Sequence, residues 1–201
     1  VFPLDLIACN GRLCLTIACN GIDARIADSV HQYGNSPLLH GRNSYLASVA
    51  VNFLFKPIGR HWKVWLDDEA LEDDFALVSM CNGRYYGGGS MPVEEARMDV
   101  GVVHTVLIKK ESKAAFARLF STYSTGESRK LPQNLIRVST ARTVRIRAEE
   151  DIVTCVDGET FRGREGHDPF GQTAELLRPQ GLQPQRHRPL TAFPPTFTNS
   201  S

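Results

Sequence analysis

Three short stretches of this chain combine residue types that could do chemistry. The first is Asp157-Gly158-Glu159, which closes the apolar run Ile152-Val153-Thr154-Cys155-Val156. Two carboxylates at i and i+2 leave one strand end, where side chains can protrude into a cleft. One could accept a proton while the other binds a metal or orients the first. A strand ending in Asp-Gly is equally an ordinary turn signal. The second stretch is Asn82-Gly-Arg-Tyr-Tyr-Gly-Gly-Gly89. Its glycines allow close backbone approach, and their amides could cradle an anion. No G-K-[ST] follows, so it is not a nucleotide motif by itself. The third is Glu94-Glu95-Ala96-Arg97-Met98-Asp99, whose charges read first as a solvated face.

Cys9, Cys14, Cys19, Cys81 and Cys155 are the cysteines, an odd number with no C-x-x-C pair. Neither zinc nor thioredoxin-type chemistry has its spacing here. All five sit in apolar runs, which reads as buried free thiols in a reducing compartment. Arg137, Arg142, Arg145 and Arg147 could touch lipid phosphates. The alternation of Arg145 and Arg147 with apolar residues already makes them the outward face of a half-buried strand.

These residues need elements to position them. Pro3–Cys9 and Arg12–Cys19 read as two strands joined by Asn10-Gly11, a strong short hairpin signal. Asn20-Gly21 breaks the second strand, and Asp23–Gly34 reads as a helix. A second helix is expected from about Ser44, its apolar face ending at Pro57-Ile58-Gly59. Beyond it the period changes to two. Strands are expected in WKVWLD, FALVSMCN, VVHTVLIKK, IRVSTA, TVRIRAE and IVTCVD, with Asp67–Asp74 as an acidic turn. A helix at SKAAFARLFSTY carries an apolar stripe of Ala115, Phe116, Leu119 and Phe120. Many short strands with two or three helices predict a mainly β, α+β fold built on an antiparallel sheet or sandwich.

Composition sets the outer bounds. The 201 residues are 42% hydrophobic, enough to fill a core, and carry 23 basic against 22 acidic side chains. That balance gives no general attraction to nucleic acid. No apolar run approaches the length of a spanning helix, and no basic-then-apolar leader is present. Val1 opens directly into a strand-like run, so the beginning is expected to lie upstream. Residues 165–201 hold six of the 11 prolines and no Val, Ile or Lys. The domain is therefore expected to span 1–164, followed by a disordered or frame-shifted tail that does not continue the sheet.

The order of motifs is more specific than any one of them. A hairpin, Asn20-Gly-x-Asp-Ala24, Asn82-Gly-x(3)-Gly-Gly-Gly89, Pro92-x(3)-Ala-Arg-Met-Asp99 and a strand ending in Asp157-Gly-Glu159 follow one another. From about Leu4 to Arg164 this resembles the C-terminal domain of the diacylglycerol kinase-like lipid kinases. That group includes bacterial diacylglycerol, undecaprenol and phosphatidylglycerol kinases and, more distantly, sphingosine kinases.

The resemblance implies a two-domain enzyme that phosphorylates a lipid hydroxyl with ATP. The ATP-binding G-G-D-G-T half is not in this sequence. It implies Glu159 as proton acceptor, supported by Asp157 through a metal and water network. It also implies a structural magnesium ion held by the backbone carbonyls of Arg97 and Val102 and by an aspartate. Val100 stands at the aspartate position and offers no side-chain oxygen. Asp99 is adjacent but points the other way on extended chain. ATP and Mg2+ are thus the implied cofactors, and the lipid lies at a membrane surface. The implied protein is cytoplasmic, peripherally membrane-associated, without nucleic acid or spanning segment, and compatible with a homodimer. Two other readings stand beside this one: a non-catalytic lipid- or partner-binding fragment, and an NAD kinase-type domain. The 201-residue chain alone is expected to show no kinase activity.

Overall fold

A computed structural model describes residues 3–34, 55–87, 89–162 and 171–178. The helix expected from about Ser44 lies largely outside them. In chain order the described elements are β1 (Leu6–Cys9), β2 (Arg12–Cys14), β3 (Ile17–Gly21), α1 (Ile22–Gly34), β4 (Arg60–Leu66), β5 (Glu69–Cys81) and β6 (Val103–Lys109). They continue with α2 (Lys113–Ser124), β7 (Ile136–Ala141), β8 (Thr143–Arg147), β9 (Val153–Val156), β10 (Glu159–Arg162) and β11 (Gln172–Leu177). The mainly β, antiparallel architecture read from the sequence is the one observed.

The strands form one curved sheet in the order β10-β9-β3-β5-β4-β8-β11-β1-β2, with β6 branching from β5 and carrying β7. The branch follows from the length of β5. Its residues Glu69–Phe75 pair with β4, while Leu77–Cys81 pair with β3 and, across the strand, with β6. The register with β6 shifts between Phe75 and Leu77, as a bulge does where a sheet changes direction. Two of the turns are read directly from residue type. Asn10-Gly11 and Asp157-Gly158 both take positive φ, as the tightest hairpin turns require. Gly21, at φ +94°, ends β3 where a Cβ would lie 2.2 Å from the Ala76 carbonyl oxygen, so no other residue fits unstrained.

Curvature divides the interior. Ile7, Trp62, Val64, Val78, Ile146 and Phe161 fill the concave side of the long sheet. Ile22, Leu77, Val106, Phe116, Leu119 and Tyr123 form a second core beneath α2. Cys19, Ala24 and Cys155 make a small third cluster under α1. All five cysteines are buried free thiols. Within the concave core runs a polar seam. The Asn20 amide donates to Thr154 Oγ1 (3.0 Å) and to Gln172 Oε1, and Gln172 Nε2 donates to Cys9 Sγ (3.2 Å). It joins β3, β9, β11 and β1.

Four expectations need correction. Asp67–Asp74 is not a turn: only Asp67-Asp68 reverse the chain, and Glu69–Asp74 pair in register with β4. Their carboxylates face outward and meet cations, as in Lys109–Asp73 (2.5 Å), Lys110–Asp74 (2.9 Å) and Arg137–Glu69 (2.5 Å). The expected strand Arg12–Cys19 is two strands, broken at Leu15-Thr16. The α2 stripe is completed by Tyr123, fully buried, rather than by Ala115, which is only partly covered. Finally, the tail does continue the sheet. Thr143–Ile146 of β8 and Leu6–Cys9 of β1 pair with opposite edges of β11, so residues 172–177 belong to the sheet. Residues 179–201 lie outside the described part.

Candidate functional site

A cavity of about 620 Å³ opens between α1, α2, β3 and the β9–β10 turn. Its walls are mostly apolar: Ile22 and Ile26 from α1, Phe116 and Phe120 from α2, Ile17 from β3 and Cys155 from β9. Helical spacing explains the first four. Positions 22 and 26, and 116 and 120, are each one turn apart and face the same side. Phe116 and Phe120 stack at 5.9 Å, and Phe120 lies 5.5 Å from Tyr123. Polar groups enter at three points: Asp23, the Tyr86–Ser90 turn, and Asp157-Gly158.

Asp23 is the group that sequence reading missed. It sits in the first turn of α1, and the surface it retains borders the cavity. Its carboxylate accepts a hydrogen bond from the Tyr86 hydroxyl at 2.7 Å. Burial raises its pKa to about 6, against the lowering effect of that bond. The same Tyr86 hydroxyl lies 3.3 Å from that of Tyr123, which pairs in turn with Ser79 Oγ at 2.9 Å. A polar relay thus runs from the cavity into the core beneath α2. The signal was present in Asn20-Gly-x-Asp-Ala24, but a single acid at a helix start reads first as a capping charge.

Asp157 also lines the cavity, yet its carboxylate is occupied. It accepts from the amides of Leu15 (2.6 Å), Thr16 (2.9 Å) and Ile17 (3.1 Å), from the Thr16 hydroxyl, and from Cys14 Sγ at 3.5 Å. Burial pushes its pKa up, but the Thr16 hydroxyl and the three amides outweigh that and hold it below the usual carboxylate range. This grip creates the break between β2 and β3.

Glu159 heads β10, where its backbone pairs with Val156 and its side chain is exposed. It follows Gly158 of the cavity wall, but is not itself part of that wall. Thr160 and Arg162 bond Asp28 of α1, whereas Phe161 enters the concave core. Alternation therefore places Glu159 on the strand face of Phe161, away from α1.

The glycine loop is a tight turn in which Gly89 and Ser90 amides both donate to the Tyr86 carbonyl (3.1 and 2.9 Å). Its role here is to hold Tyr86 and Gly87 against the cavity. Glu94 and Glu95 are exposed, as a solvated face requires.

The segment 97–102 does not fit a magnesium ion. Asp99 is engaged by Arg97 through two bonds, Nε–Oδ1 at 3.0 Å and Nη2–Oδ2 at 2.8 Å. Val100 supplies no side-chain oxygen at the position where an aspartate is expected. Magnesium keeps several waters but needs a carboxylate to anchor it, and the one carboxylate of this segment is already held by Arg97, so the donor set is unsuitable.

The curved antiparallel sheet with two flanking helices defines a β-sandwich-like domain. Residues 16–172 match the model of the YegS C-terminal NAD kinase beta sandwich-like domain, and the chain belongs to that family. Solved structures agree in fold. A candidate diacylglycerol kinase from Bacillus anthracis str. Sterne superposes with a TM-score of 0.61 at 20% identity, over 88% of this chain and 54% of the other. A diacylglycerol kinase from the same strain gives 0.58 at 18% identity, over 88% and 51%. The chain thus spans about half the length of these structures. None of the curated proteins compared with the chain matches it.

Proposed function

We propose that the chain is the acceptor-binding half of an ATP-dependent lipid kinase. The apolar cavity holds the acyl portion of a diacylglycerol-like lipid. Its hydroxyl emerges at the Asp157-Gly158 turn and meets Glu159 beyond the end of β10, since that side chain leaves the strand on the face away from α1. In the reaction the lipid oxygen bonds to the terminal phosphorus of ATP, ADP leaves, and Glu159 takes the hydroxyl proton. Asp157 contributes by position. Its carboxylate has no free capacity for a metal and water network, but it fixes the turn from which Glu159 projects. Asp23 retains lone pairs beyond its one bond to Tyr86 and can orient a lipid hydroxyl from within the cavity.

The observation that carries this reading is the cavity. Its size suits an acyl chain, and its walls of Ile22, Ile26, Phe116 and Phe120 offer such a chain burial at about 0.8 kcal/mol per methylene. An NAD-type acceptor would need cationic partners for its phosphates, and none of the described residues lining the cavity is Lys, Arg or His. No helix among the described residues is long and apolar enough to cross a membrane. Access to a bilayer lipid is therefore proposed to be peripheral, from a cytoplasmic protein.

Titrating the chain with dioctanoylglycerol, and with glycerol as control, tests the cavity. Ala117 lines the cavity from the exposed side of α2, so Ala117→Trp fills space without disturbing the core. Lipid affinity should fall at least about tenfold in that variant, with an unchanged melting temperature. Equal affinity for glycerol and dioctanoylglycerol, or no response to Ala117→Trp, would remove the proposal.

A further inference from the structure

The loop at 97–102 is closed by protein charges. Asp5, 2% exposed and just ahead of β1, places Oδ2 2.8 Å from the Gly101 amide nitrogen. Its own amide donates to the Met98 carbonyl at 2.6 Å. Arg178, immediately after β11, reaches the same loop from the other side. Nη2 donates to the Asp99 carbonyl at 3.4 Å, and Nε stands 3.7 Å from Asp5 Oδ1. The guanidinium lies so close to Gly101 that a Cβ there would meet Nη1 at 2.2 Å. Gly101 has φ +75°, so both the backbone and the cation demand glycine.

We propose that the buried Asp5–Arg178 pair does in this chain what a structural magnesium ion is expected to do at such a loop, and that the loop is independent of divalent metal. The Asp99 oxygens are held by Arg97, the Asp5 oxygens face an amide and a guanidinium, and residue 100 is a valine. A dication placed in the loop would have to displace Arg178 and would meet its positive charge at short range. A guanidinium, fixed in charge and branched, can bridge a carboxylate and a carbonyl together. The pair ties the start of β1, the loop and the end of β11 into one corner. This inference does not rest on the kinase reading. Combined with the kinase proposal, it assigns any magnesium requirement to the nucleotide.

Thermal unfolding of the chain with excess chelator and with millimolar Mg2+ tests it. The wild-type melting temperature should agree within about 1 °C between the two conditions. Arg178→Gln should lower it by about 5 °C, with no recovery on adding Mg2+. Mn2+ should leave the Gly101 amide resonance unbroadened, a readout that needs no variant to fold. A gain-of-site variant gives the converse: in Val100→Asp/Arg178→Gln, Mg2+ should raise the melting temperature by several degrees. The proposal is overturned if chelation destabilises the wild type, if Mg2+ restores Arg178→Gln, or if Mn2+ selectively broadens Gly101.

Discussion

Replacing Asp157 by asparagine isolates what its carboxylate does. Asn keeps the shape and tolerates the left-handed backbone at φ +49°, so strain is not introduced. It removes the charge and turns one acceptor oxygen into a donor facing amides that also donate. Three amides and one hydroxyl bond the carboxylate in the wild type. Bonds to a charged acceptor contribute about 1.5–3 kcal/mol each when buried. The turn is exposed, however, and water can replace part of what is lost. The net cost should therefore be about 1–2 kcal/mol, or roughly 3–6 °C in melting temperature for a chain of this size. Asp157→Ala should cost about 1 kcal/mol more, since alanine is strained at positive φ. The pH dependence carries the sign. The native pKa lies below the unfolded one, so the stabilisation is full above about pH 4 and fades as pH falls through the native value. Urea melts of wild type and Asp157→Asn at neutral pH and near pH 3 measure the difference. Indistinguishable stabilities at neutral pH, or a gap that fails to narrow in acid, would refute the reasoning.

Asp23 has the opposite sign. Its native pKa is about 6, above the unfolded value, so its ionisation costs stability that is absent below about pH 4 and complete above pH 6. Asp23→Asn should consequently raise neutral-pH stability by about 1–2 kcal/mol while weakening lipid binding, as melts and lipid titration of the same variant will tell. Gln172→Ala strips the buried seam of its acceptor for Asn20 and its donor to Cys9, leaving unpaired polar groups. A loss of about 2–4 kcal/mol is expected in urea melts, and one below about 0.5 kcal/mol would show the seam to be unimportant.

Most strands were legible because their faces differ. Val64, Leu66, Val144 and Ile146 alternate with Lys63, Trp65, Arg145 and Arg147, and the structure buries the first set. The Asn10-Gly11 and Asp157-Gly158 turns were legible because few residue types accept positive φ. The acidic half of β5 was hidden, since its charges are neutralised by Lys109, Lys110 and Arg137 from strands and loops far along the chain. β11 was hidden for a related reason. Ala174 and Glu175 have little strand propensity, and the edges of β1 and β8 with the buried Asn20–Gln172 bond make this segment a strand. At the site, Asp157 and Glu159 were visible as a motif, but the saturation of Asp157 by Leu15–Ile17 is a tertiary fact. Asp23 gained its weight from Tyr86, 63 residues away.

The reading of the whole chain turns on Glu159. Phosphate transfer from labelled ATP to diacylglycerol in vesicles, measured on the chain joined to the nucleotide-binding half that the proposal assigns to it, addresses it directly. Glu159→Gln preserves size and removes the proton acceptor. The account predicts a loss of at least about 100-fold in turnover with lipid affinity unchanged. Full activity of Glu159→Gln would contradict it.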